Sequence, residues 1–327
     1  MKKIRIAQIG TSVNSHGNFV FDSLRKADDM FDIAGYAMPQ EEDETHFKDC
    51  RKMSVDEILN DPSIEAVTIE TEEEYLTKYA LLAAEHGKHI HMEKPGGTKL
   101  CEFEKLIETA RKNNLVFHTG YMYRYNPAVQ KLIKEVRSGE FGEIISVEAQ
   151  MNCRHSDEVR KWLAKYKGGI MFFLGCHLVD LILLLKGKPD KIIPLNKSTG
   201  MHGINSTDFG MAALEYENGV SFAKVCDIEK GGFLRRQLVV TGTEKTAELK
   251  PLEIICPDGN ICTEVTECSS DDWVKPSENH ETEKFDRYLE MMRDFARIIR
   301  GETENKYSYD YELELYKTVL ECCKEGY

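Results

Sequence analysis

Between Lys3 and Met122, short β-branched apolar runs alternate with segments of helical spacing. This alternation constrains the fold more than any other feature of the chain. "KIRIAQIG" reads as a strand ending at Gly10, and "NFVFDSLRKA" as a helix, with Phe19, Leu24 and Ala27 at helical spacing. "FDIAGYAM" and "IEAVTIET" read as further strands. Between them "SVDEILND" opens on Ser54 with Glu57 three residues later, a capping-box signature. "YLTKYALLAAEHG" is a helix stopped by Gly87, and Lys88–Met92 is the next strand. "LCEFEKLIETARKNN" and "LVFHTGYM" add one more helix and strand. Strands joined by helices of this length require crossover connections and a parallel sheet.

After about residue 122 the pattern changes. "PAVQKLIKEVRSGEFG" is a helix ending at Gly139, and "EIISVEAQMN" alternates like a strand with one solvated face. "MAALEYENGVSFAKV" holds Asn218-Gly219 between two strand-like runs, a hairpin signal. "CPDGNIC" is another turn, "GFLRRQLVVTGTEKTAEL" a further strand pair, and Tyr309–Cys323 a closing helix. Strands joined by turns imply an antiparallel sheet. The expected fold class is therefore α/β. A doubly wound parallel sheet fills residues 1–122, and an α+β domain with a large, open, mainly antiparallel sheet fills residues 123–327.

With 327 residues, 41% hydrophobic and 30% charged, the chain has the composition of two globular domains. A net charge of −13 repels a phosphate backbone, so no nucleic-acid partner is expected. Leu178–Leu185 is too short to span a membrane and carries Asp180. "MKKIRIAQIG" runs straight into a strand, so no signal peptide is expected. Ten cysteines without a CxxC pair fit reduced thiols in a cytoplasm. Cys256, Cys262 and Cys268 recur every six residues, but buried thiols are the expectation there and no metal site is assigned.

Two stretches carry chemistry. In "GTSVNSHGN", after the first strand, Gly10 holds the first position of a dinucleotide turn, with Ser12 in place of the second glycine. Thr11, Ser12 and Ser15 offer hydroxyls to phosphate oxygens, though Ser15 as a plain helix cap also fits. In "HIHMEKPGG", Glu93-Lys94-Pro95 follows a buried strand at the carboxyl edge of the sheet, where doubly wound folds bind ligands. A lysine desolvated there can act as an acid or base.

The series "GKHIHMEKP", "GYMYRYNPAV", "SGEFGEI" and "GGIMFFLGCHLVDL", in this order and spacing, resembles the Gfo/Idh/MocA oxidoreductases along essentially the whole chain. The resemblance implies an N-terminal Rossmann domain that binds a nicotinamide cofactor. It further implies hydride transfer to or from a secondary alcohol of a sugar, polyol or related small molecule, and a homodimer or homotetramer built on the C-terminal sheet. Lys94 matches the family's substrate-contacting lysine, and His177 its acid/base histidine. Asp180 matches an acid one helical turn later, able to share the histidine's face. Gly10, Thr11, Ser12, Met38, Thr71, Glu93, Lys94 and Arg124 match cofactor-contacting positions. Arg154, His155 and Trp162, with Asn152 and Lys165 nearby, are candidates for the substrate pocket.

Four departures stand out. Phe173 replaces an aspartate four residues before the histidine, and Met38 replaces the ribose-binding acid. Glu72 replaces a proline after Thr71, in the run "TEEEY", and Ser12 replaces a glycine. Glu41, Glu42 and Asp43 follow Met38, and Lys48 is the first basic residue. That surrounding favours NAD over NADP, with Glu41 a candidate for the missing acid. The departures leave two alternatives open: a glycoside-cleaving enzyme that retains its NAD, and a non-catalytic ligand-binding protein.

Overall fold

The computed structural model describes residues 2–40, 44–272, 274 and 277–324. The chain divides into two compact units, Met1–Met122 with Tyr288–Tyr316, and Tyr123–Arg287 with Lys317–Tyr327.

In the first unit the strands are β1 (Ile4–Ile9), β2 (Phe31–Ala37), β3 (Ala66–Ile69), β4 (His89–Met92) and β5 (Phe117–Thr119). The helices between them are α1 (Gly17–Lys26), α2 (Val55–Asn60), α3 (Glu73–Glu85) and α4 (Leu100–Lys112). The sheet is parallel throughout, in the order β2-β1-β3-β4-β5. All four residues of β3 are buried, as a strand covered on both faces requires. The capping box of α2 is complete, with the Glu57 backbone donating to Ser54 and the Ser54 backbone donating to Glu57.

In the second unit α5 (Pro127–Ser138) ends at Gly139 in the left-handed conformation. There follow β6 (Ile144–Asn152), α6 (Asp157–Leu163), α7 (Cys176–Lys186), β7 (Lys191–Pro194), β8 (Phe209–Tyr216) and β9 (Gly219–Cys226). Next come β10 (Gln237–Gly242), β11 (Thr246–Leu249), β12 (Ile254–Ile255), β13 (Ile261–Cys262), β14 (Glu264–Cys268) and β15 (Glu278–Glu281). Eight strands form one sheet in the order β15-β14-β11-β10-β6-β9-β8-β7, antiparallel except where β6 and β9 run parallel. Strands β12 and β13 make a separate ribbon. Tyr216 pairs with Gly219, so the β8–β9 turn is Glu217-Asn218 and Gly219 opens the second strand. The sequence signal thus located the hairpin but sat one residue late. Asn218 donates to the Glu143 carboxylate at 2.7 Å, which holds the turn on the start of β6.

The last helices are α8 (Leu289–Ile299) and α9 (Tyr309–Cys322). Tyr288–Tyr316 belong to the first unit, although the sequence division ran the second domain to the end of the chain. The reason is burial. Met291, Met292, Phe295 and Ala296 make an apolar face on α8, and the Phe295 ring lies 5.3 Å from that of His118 on β5.

Candidate active site

In the first unit Gly10 closes the β1–α1 turn with a φ of +82°, a conformation that favours glycine. A side chain there would lie 2.5 Å from Thr71, so Gly10 and Thr71 close against one another across the ends of β1 and β3. Thr11, Ser12 and Thr71 are buried, and Met38 is half-buried just past β2. Glu41, Glu42 and Asp43 lie outside the described residues. Ser15 does not cap α1 in the usual way; the N-cap position is His16, and the Ser15 hydroxyl accepts the Gly17 N–H at 3.0 Å.

At the carboxyl ends of β3 and β4 lies a buried charged cluster. Lys94 is fully buried, and its positive charge acts on Glu70, Glu73 and Glu93, all buried. The Glu93 carboxylate accepts from the His16 backbone at 3.1 Å, the His16 ring at 2.8 Å and the Lys94 backbone at 2.8 Å. Burial pushes the Glu93 carboxyl up, but the charge and hydrogen bonds of His16, with Lys94, outweigh it and hold the group at about 2. Burial raises Glu73 to about 8 against the pull of Lys94. Glu70 is driven well above the usual range by burial first and then by the charge of Glu93. Beneath them the rings of His91 and His118 share a hydrogen bond at 2.7 Å, and burial lowers His91 to about 4, which keeps it neutral. Sequence reasoning named Glu93 and Lys94 but not Glu70, Glu73, His91 or His118. The signal was present in "TIETEEEY" and "HIHMEK", but alternation along β3 and β4 does not say which polar residues turn inward.

In the second unit Gly168 and Gly169 have φ of +86° and +47°. Side chains there would lie 2.5 Å from Cys323 and 2.6 Å from the Thr207 carbonyl. These glycines seat a π-helical turn, Met171–Gly175, that runs straight into α7. One-turn π insertions of this kind are frequent at functional sites. His177 is buried in the first turn of α7, with its ring edge-on to Tyr123 at 5.4 Å and 88°. The Tyr123 hydroxyl donates to the Glu253 carboxylate, which also accepts from Arg236 at 2.8 Å and Arg287 at 2.7 Å.

Asp180, one turn beyond His177, is met by Arg124. The guanidinium Nε donates to both carboxylate oxygens at 3.1 and 3.0 Å, and Nη2 donates to one at 2.7 Å. Both side chains are 1% exposed. The sequence reading put Arg124 with the cofactor and Asp180 with the substrate; here they are partners in one buried ion pair.

Phe173 is packed edge-on to Trp162 at 5.2 Å and lies 6.1 Å from the ring of His155. Two of the three substrate candidates therefore gather around the residue that replaces the family's aspartate. Behind His155, at 3.8 Å, stands the buried Asp227. Arg154, the third, is exposed and donates to the Ile228 carbonyl at 2.9 Å. Asn152 is fully buried and Lys165 is exposed. Among the described residues, no group of three or more His, Cys, Asp or Glu side chains is arranged to hold a metal ion. No helix among them is long and apolar enough to cross a membrane. Cys256 and Cys262 lie 3.6 Å apart, sulfur to sulfur.

Residues 4–121 match the family model described as an oxidoreductase family with an NAD-binding Rossmann fold, and residues 129–248 match that of the GFO/IDH/MocA C-terminal domain. A trans-1,2-dihydrobenzene-1,2-diol dehydrogenase of Bos taurus is 28% identical over 60% of this chain, a stretch that spans 58% of the bovine enzyme. A 1,5-anhydro-D-fructose reductase of Ensifer adhaerens is 24% identical over 70% of each chain. Among solved structures, the UDP-N-acetylglucosamine 3-dehydrogenase of Acidithiobacillus ferrooxidans superposes with a TM-score of 0.77 at 21% identity, covering 98% of this chain and 97% of that one. An oxidoreductase of Thermotoga maritima superposes with a TM-score of 0.78 at 19% identity, covering 99% and 97%. With both halves matched and the fold shared end to end, the chain belongs to the Gfo/Idh/MocA oxidoreductases, α/β proteins with an NAD-binding Rossmann sheet.

Proposed function

We propose that the chain is a nicotinamide-dependent oxidoreductase that moves a hydride between NAD(P) and a secondary alcohol of a sugar, polyol or related small molecule. The observation that carries this reading is the Arg124–Asp180 pair. That pair fixes Asp180, and we assign proton exchange with the reacting hydroxyl to His177, buried one turn before it and edge-on to Tyr123. Arg124 is a positioning residue that fixes Asp180 and, through it, the first turn of α7.

The β1–α1 turn suits a dinucleotide by its position, because Gly10 closes against Thr71 across the ends of β1 and β3 and Thr11, Ser12 and Thr71 carry hydroxyls that can exchange their present partners for phosphate oxygens. These residues would hold the pyrophosphate, Met38 the adenosine side, and Glu93 and Lys94 the nicotinamide side. Bound nicotinamide supplies the hydride acceptor or donor. Lys94 assists at the alcohol oxygen, and the ionised Glu93 beside it keeps its ammonium compensated within a buried site. His155, Trp162 and Phe173 line the substrate side, where aromatic faces suit the apolar face of a sugar ring or diol. We assign NAD over NADP on the acids that follow Met38. The working form is a cytoplasmic homodimer or homotetramer built on the C-terminal sheet.

The test is absorbance of reduced nicotinamide with NAD or NADP against a panel of sugars, polyols, cyclic diols and their keto forms. A substrate is expected, and H177N lowers its turnover by roughly 10²–10⁴-fold while dinucleotide binding is unchanged. Dinucleotide binding with no turnover on any panel member overturns the reading in favour of a ligand-binding protein. Glycoside cleavage without net change in reduced nicotinamide overturns it in favour of the NAD-retaining chemistry.

A further inference from the structure

The turn that should cradle a pyrophosphate is already satisfied by the protein's own oxygens. Ser12 N–H donates to the Glu70 carbonyl at 2.9 Å, and Ser15 N–H to the Ser12 carbonyl at 2.9 Å. Asn14 N–H donates to the Ser12 hydroxyl at 3.2 Å, and Gly17 N–H to the Ser15 hydroxyl at 3.0 Å. His16 N–H, at the start of α1, donates to the Glu93 carboxylate at 3.1 Å. A helix N-terminus attracts an anion through its N–H groups and dipole, and here a side-chain carboxylate already supplies one.

The Ser12 hydroxyl donates to the Glu72 carboxylate. Read along the chain, Ser12 and Glu72 are separate departures from the family pattern, one replacing a glycine and the other a proline. In the fold they are a single feature, a hydroxyl and a carboxylate joined across the ends of β1 and β3. Glu72 is half-buried and, as the N-cap residue of α3, gives that helix no side-chain cap hydrogen bond.

Resting on the nicotinamide reading above, we infer that Glu72 sets a low affinity for the dinucleotide. Its carboxylate holds the Ser12 hydroxyl and opposes the negative charge of the pyrophosphate. NAD therefore enters in competition with Glu72 and leaves after each turnover, as a co-substrate rather than a resident group. A chain with such a residue is unsuited to chemistry that borrows a hydride and returns it to the same bound cofactor.

The experiment is calorimetric titration of the 327-residue chain and of its Glu72→Gln variant with NAD, at about 0.05 M and 0.5 M salt. The substitution keeps size and hydrogen-bonding capacity and removes the charge. Like charges a few ångströms apart at a partly exposed site predict about tenfold tighter binding to the variant at low salt. Screening predicts that the gap narrows at high salt. The wild-type chain is also expected to lose any co-purified NAD on dialysis, and melting temperatures serve as the folding control. Equal or weaker binding by the variant, a gap insensitive to salt, or wild-type protein that keeps stoichiometric NAD after dialysis overturns this inference and leaves the oxidoreductase reading standing. Binding by neither protein up to millimolar NAD overturns both.

Discussion

The two units treat their buried charges in opposite ways. The second sets Asp180 against Arg124, Asp208 against Arg160, and Glu253 against Arg236 and Arg287. The first crowds Glu70, Glu73 and Glu93 around Lys94, and two of the three carboxyls are pushed far above their usual range. A carboxylate matched to a guanidinium fixes geometry, because its orientation is set by a planar fork of donors. Carboxyls that share too little positive charge leave protons bound near neutral pH and respond to whatever binds beside them. The second unit thus fixes its buried side chains in matched pairs, while the first keeps carboxyls that hold protons near neutral pH.

Breaking the pairing in the second unit should have the largest effect on stability. Arg124→Ala or Asp180→Ala strands a charge that is 1% exposed and should cost about 3–5 kcal/mol in urea denaturation. A cost below about 1 kcal/mol would mean that the ion pair is not formed in solution. In the first unit the corresponding effect lies in the pH dependence. Glu73 is raised to about 8 in the fold against about 4.3 when unfolded, so between those values the folded chain binds the extra proton. Stability should therefore fall as pH rises from 5 to 8, by about 1.4 kcal/mol per unit for one full proton. Glu73→Gln should remove that share of the slope. An unchanged slope in the variant would place the proton elsewhere. The smallest effect belongs to a site outside both clusters. Ser54→Ala removes an exposed capping box and should cost about 1 kcal/mol, with no change in pH dependence or dinucleotide binding.

The same contrast explains how much could be read from the sequence. Alternation of β-branched runs with helical segments located the five parallel strands and their helices, because both faces of such a sheet are apolar. Ser54 and Glu57 were legible because a capping box is local. Glu93-Lys94 and His177 were legible because their neighbours form recognisable strings. The Arg124–Asp180 pair was not, since 56 residues separate partners that meet only once α7 is in place. Nor was the burial of Glu73, which shares a run of acids with Glu72 and Glu74 while only its own side chain turns inward. The return of Tyr288–Tyr316 to the first unit was hidden for the same reason. An amphipathic helix declares that it has a partner but not which one.

That return has a consequence for synthesis on the ribosome. Residues Met1–Met122 emerge first but lack α8, whose Phe295 covers the His91–His118 pair. At about 5–20 residues per second the missing helix arrives roughly 10–30 s later, after most of the second unit has been made. The nucleotide-binding half therefore cannot be finished in the order in which it is written. Its nascent form carries an uncovered apolar face until α8 has been made.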